Sequence, residues 1–121
     1  MYKIILDPGH GLNTSGKRCD KALDPNQTRE WTLNSRICNY VENLLSKEYT
    51  GYEILRVDDR TGKTDVALAT RVKNANTFNG DIYISVHADA GAKLTKSGGI
   101  TAFAYTSSSA ASKEWRDELY A

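Results

Sequence analysis

The sequence is poor in cysteine, which limits how it could hold a metal ion or brace a fold. Its two cysteines, Cys19 and Cys38, form neither a CxxC pair nor a cluster with histidine at metal-binding spacing. We therefore expect two free thiols, with a single disulfide between them as the alternative.

An excess of charge of one sign is also lacking. Sixteen Lys and Arg against fifteen Asp and Glu give a formal net charge of +1, and there is no dense basic block. Nucleic-acid binders normally carry such a block, so we expect no nucleic-acid partner. No apolar run approaches the roughly 20 residues that span a bilayer, and the first apolar stretch is too short for a signal peptide. We expect no membrane span and a chain that starts in the cytoplasm.

What is present is the composition of one globular domain, 40% hydrophobic and 26% charged. Apolar periodicity predicts strands that alternate with helices, which is typical of an α/β fold. We expect a mostly parallel, mixed open sheet flanked by helices, with residues 1–121 in a single domain. The predicted strands are Tyr2–Leu6, Glu53–Val57, Ile82–His87 and Gly99–Tyr105, and the predicted helices are Thr28–Lys47, Asp65–Phe78 and Ala110–Tyr120, the last capped by Ser109 or a neighbour.

Glu30 occupies an unusual position near the start of the first predicted helix. At 100° per residue the apolar side chains of this helix fill one half of its circumference, and Glu30 falls in the middle of that half, with Asn34 beside it. Moving a carboxylate out of water costs several kcal/mol unless a cation or several donors meet it. The partner of Glu30 could be a metal ion, a lysine or an arginine such as Arg56 or Arg71.

The two histidines both follow predicted strands. His10 comes after the first strand across "DPG", and His87 closes "IYISVH". Ligands of open α/β sheets bind beyond the carboxyl ends of the strands, so both imidazoles can meet Glu30 there. Singly, each residue has an ordinary structural role, as a turn brace, a satisfied buried histidine or an ion-pair partner. Together, two imidazoles and one carboxylate with a fourth position for water are typical of catalytic zinc and of hydrolysis.

Six short motifs also follow one another in an order and spacing that resemble those of one enzyme family. They are "ILDPGHG", "EWTLN", "ILRVDDR", "LATRVKNAN", "DIYISVHADA" and "SGGITAF", and the resemblance runs from Tyr2 to about Tyr105. The sequence is similar to the zinc-dependent N-acetylmuramoyl-L-alanine amidases of the amidase-3 type, found in phage endolysins and bacterial autolysins. The resemblance implies a peptidoglycan hydrolase. Such an enzyme uses a zinc-activated water to cleave the amide between N-acetylmuramic acid and the first L-alanine of the stem peptide.

The resemblance further implies roles for individual residues. His10, Glu30 and His87 match the zinc ligands of the family. Asp7 matches a position that we interpret as structural, organising the turn that precedes His10. For Arg71, which lies beside the apolar face of the second predicted helix, we expect a buried ion pair rather than a catalytic role.

The general base of the family has no counterpart in the sequence. In the family, a glutamate on a further strand acts as general base and then as acid, whereas Glu114 and Glu118 come too early and in an exposed helical pattern. Asp89 replaces an Asn that is frequent in the family, a difference expected to alter a rim contact and not the ligand set. The resemblance therefore implies a domain without its C-terminal part. The alternative function is a catalytically weak module that binds metal or cell wall, with an unpaired sheet edge through which chains could associate.

Location, substrate contacts and the bond cleaved also follow from these expectations. A peptidoglycan substrate lies outside the membrane and the sequence shows no signal peptide, so a phage endolysin or a domain excised from an exported protein fits both facts. The segment Leu12–Gln27 lies between two expected ligands and is predicted to form one wall of the site, with an ordinary surface connection as the alternative. A zinc peptidase or deacylase is a third interpretation, against which the motif order argues.

Overall fold

The computed structural model describes residues 1–89 and 100–120. The chain divides into two compact units, Met1–Asp89 and Ala90–Ala121. The first unit contains β1 (Tyr2–Pro8), α1 (Glu30–Glu48), β2 (Tyr52–Arg56), α2 (Leu68–Phe78) and β3 (Ile82–Val86), and the second contains α3 (Ala110–Tyr120). No helix in these two described ranges is long and apolar enough to cross a membrane.

The first unit is built on an open parallel sheet in the order β2-β1-β3. Residues Tyr2–Leu6 of the central strand pair with Tyr52–Arg56, and Ile4–Pro8 pair with Ile82–Val86. Because β2 and β3 lie on opposite sides of β1, two right-handed crossovers place α1 on one face of the sheet and α2 on the other. This arrangement confirms the predicted α/β class with its open parallel sheet.

Alternate residues of β1 face the two helices. On the α2 face, Ile5 forms a buried cluster with Val57 and Ala75, against which Leu55 and Phe78 pack. On the α1 face, Leu6 is buried, as are Trp31, Asn34 and Cys38 of the helix. The central strand is therefore covered on both sides, as in other parallel sheets.

Two predicted helices begin later than the sequence pattern suggests. Helix α1 begins at Glu30 rather than Thr28, because Arg29 is extended and the carbonyl of Thr28 accepts the N–H of Cys19 in the preceding loop. Helix α2 begins at Leu68 rather than Asp65, because Ala67 has a non-helical ψ of 141°. The Asp65 carboxylate accepts Thr14 and Arg71 instead of capping a first turn. The three strand bounds that lie within residues 1–89 agree with the prediction to within two residues.

The prediction of a strand at Gly99–Tyr105 is wrong for the part that can be compared. Gly99 lies outside the described residues, and residues 100–105 form no strand. Their apolar side chains, including Phe103 at 88% exposure, are not buried against a sheet face. An apolar pattern becomes a strand only where a neighbouring strand supplies backbone partners, and the described ranges supply none here. Helix α3, in contrast, has the predicted bounds, and the Ser109 hydroxyl accepts the N–H of Ser112 as its cap.

Both cysteines are free, as expected from the sequence. Cys38 is completely buried on α1, and this burial raises the pKa of its thiol to about 11. Cys19 is only partly buried, in the loop that precedes α1. Because the thiolate is the reactive form, the two thiols should differ strongly in reactivity.

We predict that iodoacetamide at mildly alkaline pH modifies Cys19 readily and leaves Cys38 unmodified until the protein unfolds. Mass spectrometry should show one modified thiol per native chain and two in concentrated urea. The Cys19→Ser variant is the control and should show no modification in native buffer. Equal rates at the two cysteines in the native wild-type chain would contradict the burial of Cys38.

Candidate metal centre

The candidate site lies beyond the carboxyl ends of β1 and β3. The crossover that leaves β1 runs through α1, and the crossover that reaches β3 runs through α2 on the opposite face, so the crevice between these strands is a topological switch point. His10 follows the end of β1 by two residues, His87 follows β3 directly, and Glu30 is the first residue of α1. The structure thus brings together all three ligand candidates of the sequence, with one ligand atom of each within 4.8 Å of the others.

The distances in this group fit a single ion. Glu30 presents Oε2 to Nε2 of His10 at 3.5 Å and Oε1 to Nδ1 of His87 at 3.3 Å. The two imidazole rings stand edge to face, with their centroids 5.0 Å apart. Two ligand atoms about 2.1 Å from a tetrahedral ion lie about 3.4 Å apart, so both glutamate–histidine distances are those of neighbouring ligands.

Glu30 is only 8% exposed and yet is kept in its charged form. Burial raises the pKa of its carboxyl. Hydrogen bonds from the backbone N–H of Ala88 and from Asn34, together with the two histidines, lower this pKa by more than burial raises it, so that the net pKa lies below the ordinary value. The Ala88 N–H donates to Oε1 at 3.0 Å, and Asn34 Nδ2 donates to the same oxygen at 3.3 Å. A charged carboxylate fixed by donors is suited to bind a cation.

The arginines considered as partners of Glu30 are engaged elsewhere. Arg56 forms an ion pair with Asp58. Arg71 forms the buried ion pair expected from the sequence, and its partner is Asp7. The interpretation of Glu30 as part of an arginine ion pair is therefore wrong, and its charge faces the two histidines.

Arg71 also determines the shape of the turn that carries His10. Its guanidinium is 4% exposed and donates to the carbonyl oxygens of Pro8 at 2.8 Å and of His10 at 3.0 Å, in addition to Asp7. The second oxygen of Asp7 accepts the Tyr83 hydroxyl at 2.7 Å. Asp7 therefore joins the end of β1 to α2 and to β3, in agreement with the structural role expected for it.

Two glycines in this turn make room for the site. An added Cβ at Gly9 would lie 2.2 Å from the His87 ring, and one at Gly11 would lie 2.7 Å from the backbone nitrogen of Asp65. Between them His10 has a φ of 67°, a left-handed conformation that non-glycine residues adopt rarely and at some energetic cost. The sequence "GHG" is thus explained by close packing on both sides of a strained histidine.

Sequence reasoning missed two polar contacts of the site. One is the backbone N–H of Ala88, which no side-chain pattern could reveal. The other is Asp65, whose Oδ2 lies 3.9 Å from Nδ1 of His10 and which we had expected to begin a helix. The aspartate follows a turn glycine, Gly62, and precedes an apolar helical pattern, a combination that predicts a helix cap more readily than a contact with a histidine.

The other candidate residues do not belong to the cluster of His10, Glu30 and His87. Asp89, Glu114 and Glu118 are all exposed, the two glutamates on α3 in the second unit. Within residues 1–89 and 100–120, the group of His10, Glu30 and His87 is the one cluster with metal-binding geometry.

The fold and this cluster define a candidate metal site on an α/β scaffold, and comparison with known proteins identifies the family. Residues 4–120 match the family model Amidase_3, described as N-acetylmuramoyl-L-alanine amidase. The chain belongs to this family.

Individual relatives agree with the family assignment. The chain is 33% identical over 91 residues to the sporulation-specific N-acetylmuramoyl-L-alanine amidase of Bacillus subtilis (strain 168), covering 75% of this chain and 32% of that protein. It is 29% identical over 109 residues to N-acetylmuramoyl-L-alanine amidase AmiA of Escherichia coli (strain K12), covering 90% of this chain and 34% of that protein. The chain thus spans about a third of the length of these curated relatives.

Two solved structures share the fold. The crystal structure of N-acetylmuramoyl-L-alanine amidase from Clostridium difficile 630 superposes with a TM-score of 0.77 at 27% identity, covering 93% of this chain and 57% of that one. The catalytic domain of CwlV, an N-acetylmuramoyl-L-alanine amidase from Bacillus (Paenibacillus) polymyxa var. colistinus, gives a TM-score of 0.62 at 26% identity, covering 77% and 48%.

We predict that Gly9→Ala weakens zinc binding, because the new methyl group displaces the His87 ring. The side chain of His87 is 51% exposed and can swing outward, so the fold should survive. Zinc affinity, measured by competition with a chromophoric chelator, should fall about 10–100-fold, the range found when the support of a metal ligand is disturbed.

The matched control is Gly51→Ala. Gly51 has a positive φ of 82° and open space around it, so alanine there strains a turn without touching the cluster. The loss of zinc affinity in this control should be smaller than the loss in Gly9→Ala. Equal affinities of the wild-type chain and Gly9→Ala would contradict the packing of His87 on Gly9.

Proposed function

We propose that the chain carries the zinc site of a peptidoglycan amidase and that His10, Glu30 and His87 hold the ion. The observation that carries this proposal is the convergence of two imidazoles and one carboxylate within 4.8 Å at the switch point of the sheet. The family assignment supports the same chemistry, because its members are amidases that act on N-acetylmuramoyl-L-alanine.

The ligand atoms suit zinc in a catalytic rather than a structural site. Nitrogen and carboxylate oxygen are common zinc ligands, and three protein ligands leave a fourth position for water or substrate. When bound, the ion would supply the positive charge that activates water and polarises an amide carbonyl. Structural zinc sites usually close the fourth position with a cysteine or histidine, and both cysteines of this chain are elsewhere.

The residues around the ligands have separate tasks. The Ala88 N–H and Asn34 fix the rotamer of Glu30, so the carboxylate meets the ion without reorganisation. The His10 side chain is 20% exposed and the His87 side chain is 51% exposed. The open side of the cluster is therefore the His87 side, from which we infer that the scissile amide approaches.

The substrate we propose is the amide between the lactyl group of N-acetylmuramic acid and the L-alanine of the stem peptide, in the cell wall outside the membrane. Hydrolysis of this bond also requires a proton for the departing nitrogen, and a positioned acid typically contributes about 10²–10⁴ in rate. Within the described ranges we assign this donor to no side chain. The proposal therefore names the metal ligands and the bond that is cleaved, and it names no proton donor.

The loop between β1 and α1 is the proposed wall of the substrate cleft. The carbonyls of Thr14 and Lys17 accept hydrogen bonds from the Arg29 side chain and the Glu30 N–H, which anchors the base of the loop to the site. Residues 20–27 form a separate, mostly exposed turn, closed by a hydrogen bond from the N–H of Cys19 to the carbonyl of Thr28. The turn can be changed without touching the anchors.

We predict that the wild-type chain binds one zinc ion and generates new L-alanine amino termini on the stem peptides of purified peptidoglycan. Glu30→Gln keeps the size of the side chain but removes its charge, so zinc binding and cleavage of peptidoglycan should both be lost. Glu53→Gln, at an exposed position of β2, makes the same change of charge and should retain both.

The outcomes separate the alternatives. Zinc binding without new L-alanine amino termini would favour a module that binds metal with weak turnover. Release of a different amino terminus would indicate a zinc peptidase. A folded wild-type chain that binds no zinc would contradict the proposed function.

For the loop, we predict that replacing residues 20–27 with Asn-Gly reduces binding to insoluble peptidoglycan while zinc affinity stays the same. Asn-Gly is suited to a two-residue turn between paired antiparallel segments, so the hydrogen bond from Cys19 to Thr28 should be kept. Cosedimentation with cell walls measures the binding. Loss of zinc or of folding would show instead that the turn has a structural role, and unchanged cosedimentation would exclude it from the cleft.

A further inference from the structure

We propose that Asp65 is a positioning residue for His10. Its carboxylate accepts a hydrogen bond from the Nδ1–H of the imidazole, so that the lone pair of Nε2 is left to bind the metal. This inference rests on the proposed zinc site. It adds a carboxylate from the segment before α2 to a site whose three ligand candidates come from β1, α1 and β3.

The two nitrogens of the His10 ring face two different carboxylates. Nε2 lies 3.5 Å from Glu30 Oε2, and Nδ1 lies 3.9 Å from Asp65 Oδ2. A neutral imidazole has one N–H and one free lone pair, and a metal binds the lone pair. An acceptor on the Nδ1 side therefore selects the form of His10 whose Nε2 is available on the Glu30 side.

The Asp65 carboxylate is itself held in place. Its Oδ2 accepts the Thr14 hydroxyl at 2.7 Å, and its Oδ1 accepts Arg71 Nη2 at 3.2 Å. Its backbone N–H donates to Asn13 Oδ1 at 2.9 Å. Two hydrogen bonds hold the carboxylate and a third holds the backbone of Asp65. The same guanidinium also holds the carbonyl of His10.

Close packing keeps this segment against the turn. A Cβ on Gly11 would lie 2.7 Å from the Asp65 nitrogen and 2.9 Å from the carbonyl carbon of Thr64. Only the absence of a side chain at Gly11 lets the segment before α2 approach His10. The sequence "GHG" thus provides space on one side for a ligand and on the other for the aspartate.

The remaining gap is small. A separation of 3.9 Å is too long for a direct hydrogen bond. The Asp65 side chain is 35% exposed, so a water molecule can bridge the two groups, and a modest rotation of the His10 ring on metal binding can also close the distance. Carboxylate–histidine–zinc arrangements of this kind orient the ring and raise the basicity of the ligand.

A purely structural role is the competing explanation, since Asp65 also ties the loop at Thr14 to Arg71. The two explanations differ in what they predict for zinc. A structural aspartate stabilises the protein whether or not metal is present, whereas a positioning aspartate changes zinc affinity in a chain that is equally folded.

The test is Asp65→Asn, which keeps the size of the side chain and one acceptor oxygen but removes the charge. Zinc affinity by chelator competition should fall about 10–100-fold, and the Glu53→Gln control should stay within about twofold of the wild type. Thermal unfolding of the metal-free proteins shows how far each is folded at the assay temperature. In zinc-loaded, ¹⁵N-labelled protein, the His10 Nδ1 proton should exchange with solvent more quickly in Asp65→Asn.

The outcomes separate this inference from the proposed function. A wild-type chain that binds no zinc would overturn both. Zinc binding by the wild type with unchanged affinity in Asp65→Asn would overturn the role of Asp65 alone. Reduced affinity with an unchanged exchange rate of the Nδ1 proton would also overturn it, because that combination is expected of a structural residue.

Discussion

The buried guanidinium of Arg71 is the interaction on which the site depends. It is anchored on α2 and reaches across the end of β1, where it meets the Asp7 carboxylate and two backbone carbonyls. A charged group buried to this extent is tolerated only when it is paired and fully hydrogen-bonded, so the turn after β1 must adopt the one shape that supplies these acceptors. The position of His10 follows from that shape.

On the other face of the sheet the buried charge is negative, and it too is held by hydrogen bonds. Glu30 is a buried anion at the first turn of α1, where the helix dipole and backbone N–H groups favour negative charge. Its remaining interactions are with two imidazoles and with neutral donors. On one face of the sheet, Arg71 is neutralised by Asp7. On the other face, the described contacts of the Glu30 carboxylate include no arginine or lysine.

Much of the fold and of the candidate site could be predicted from the sequence. The order of elements and the convergence of His10, Glu30 and His87 follow from apolar periodicity and from the geometry of parallel sheets. The start of α2 and the contact between Asp65 and His10 could not, because they depend on bonds to Asn13 and Thr14, about 50 residues away in the chain. The prediction of a strand at Gly99–Tyr105 was wrong in its described part for a similar reason. An apolar pattern is local, whereas a strand forms only with a partner that is distant in the sequence.

The spacing of the three ligand candidates along the chain has a consequence for biosynthesis. His10 and Glu30 are translated early, and His87 follows only after β2 and α2. Since β3 pairs with β1 across some 78 positions of sequence, a nascent chain on the ribosome lacks the third of the three ligand candidates at the site until this slow, non-local pairing occurs. At the proposed zinc site, tight metal binding would therefore wait until β3 has paired with β1, and an unfinished chain would compete poorly for zinc with proteins that are already folded.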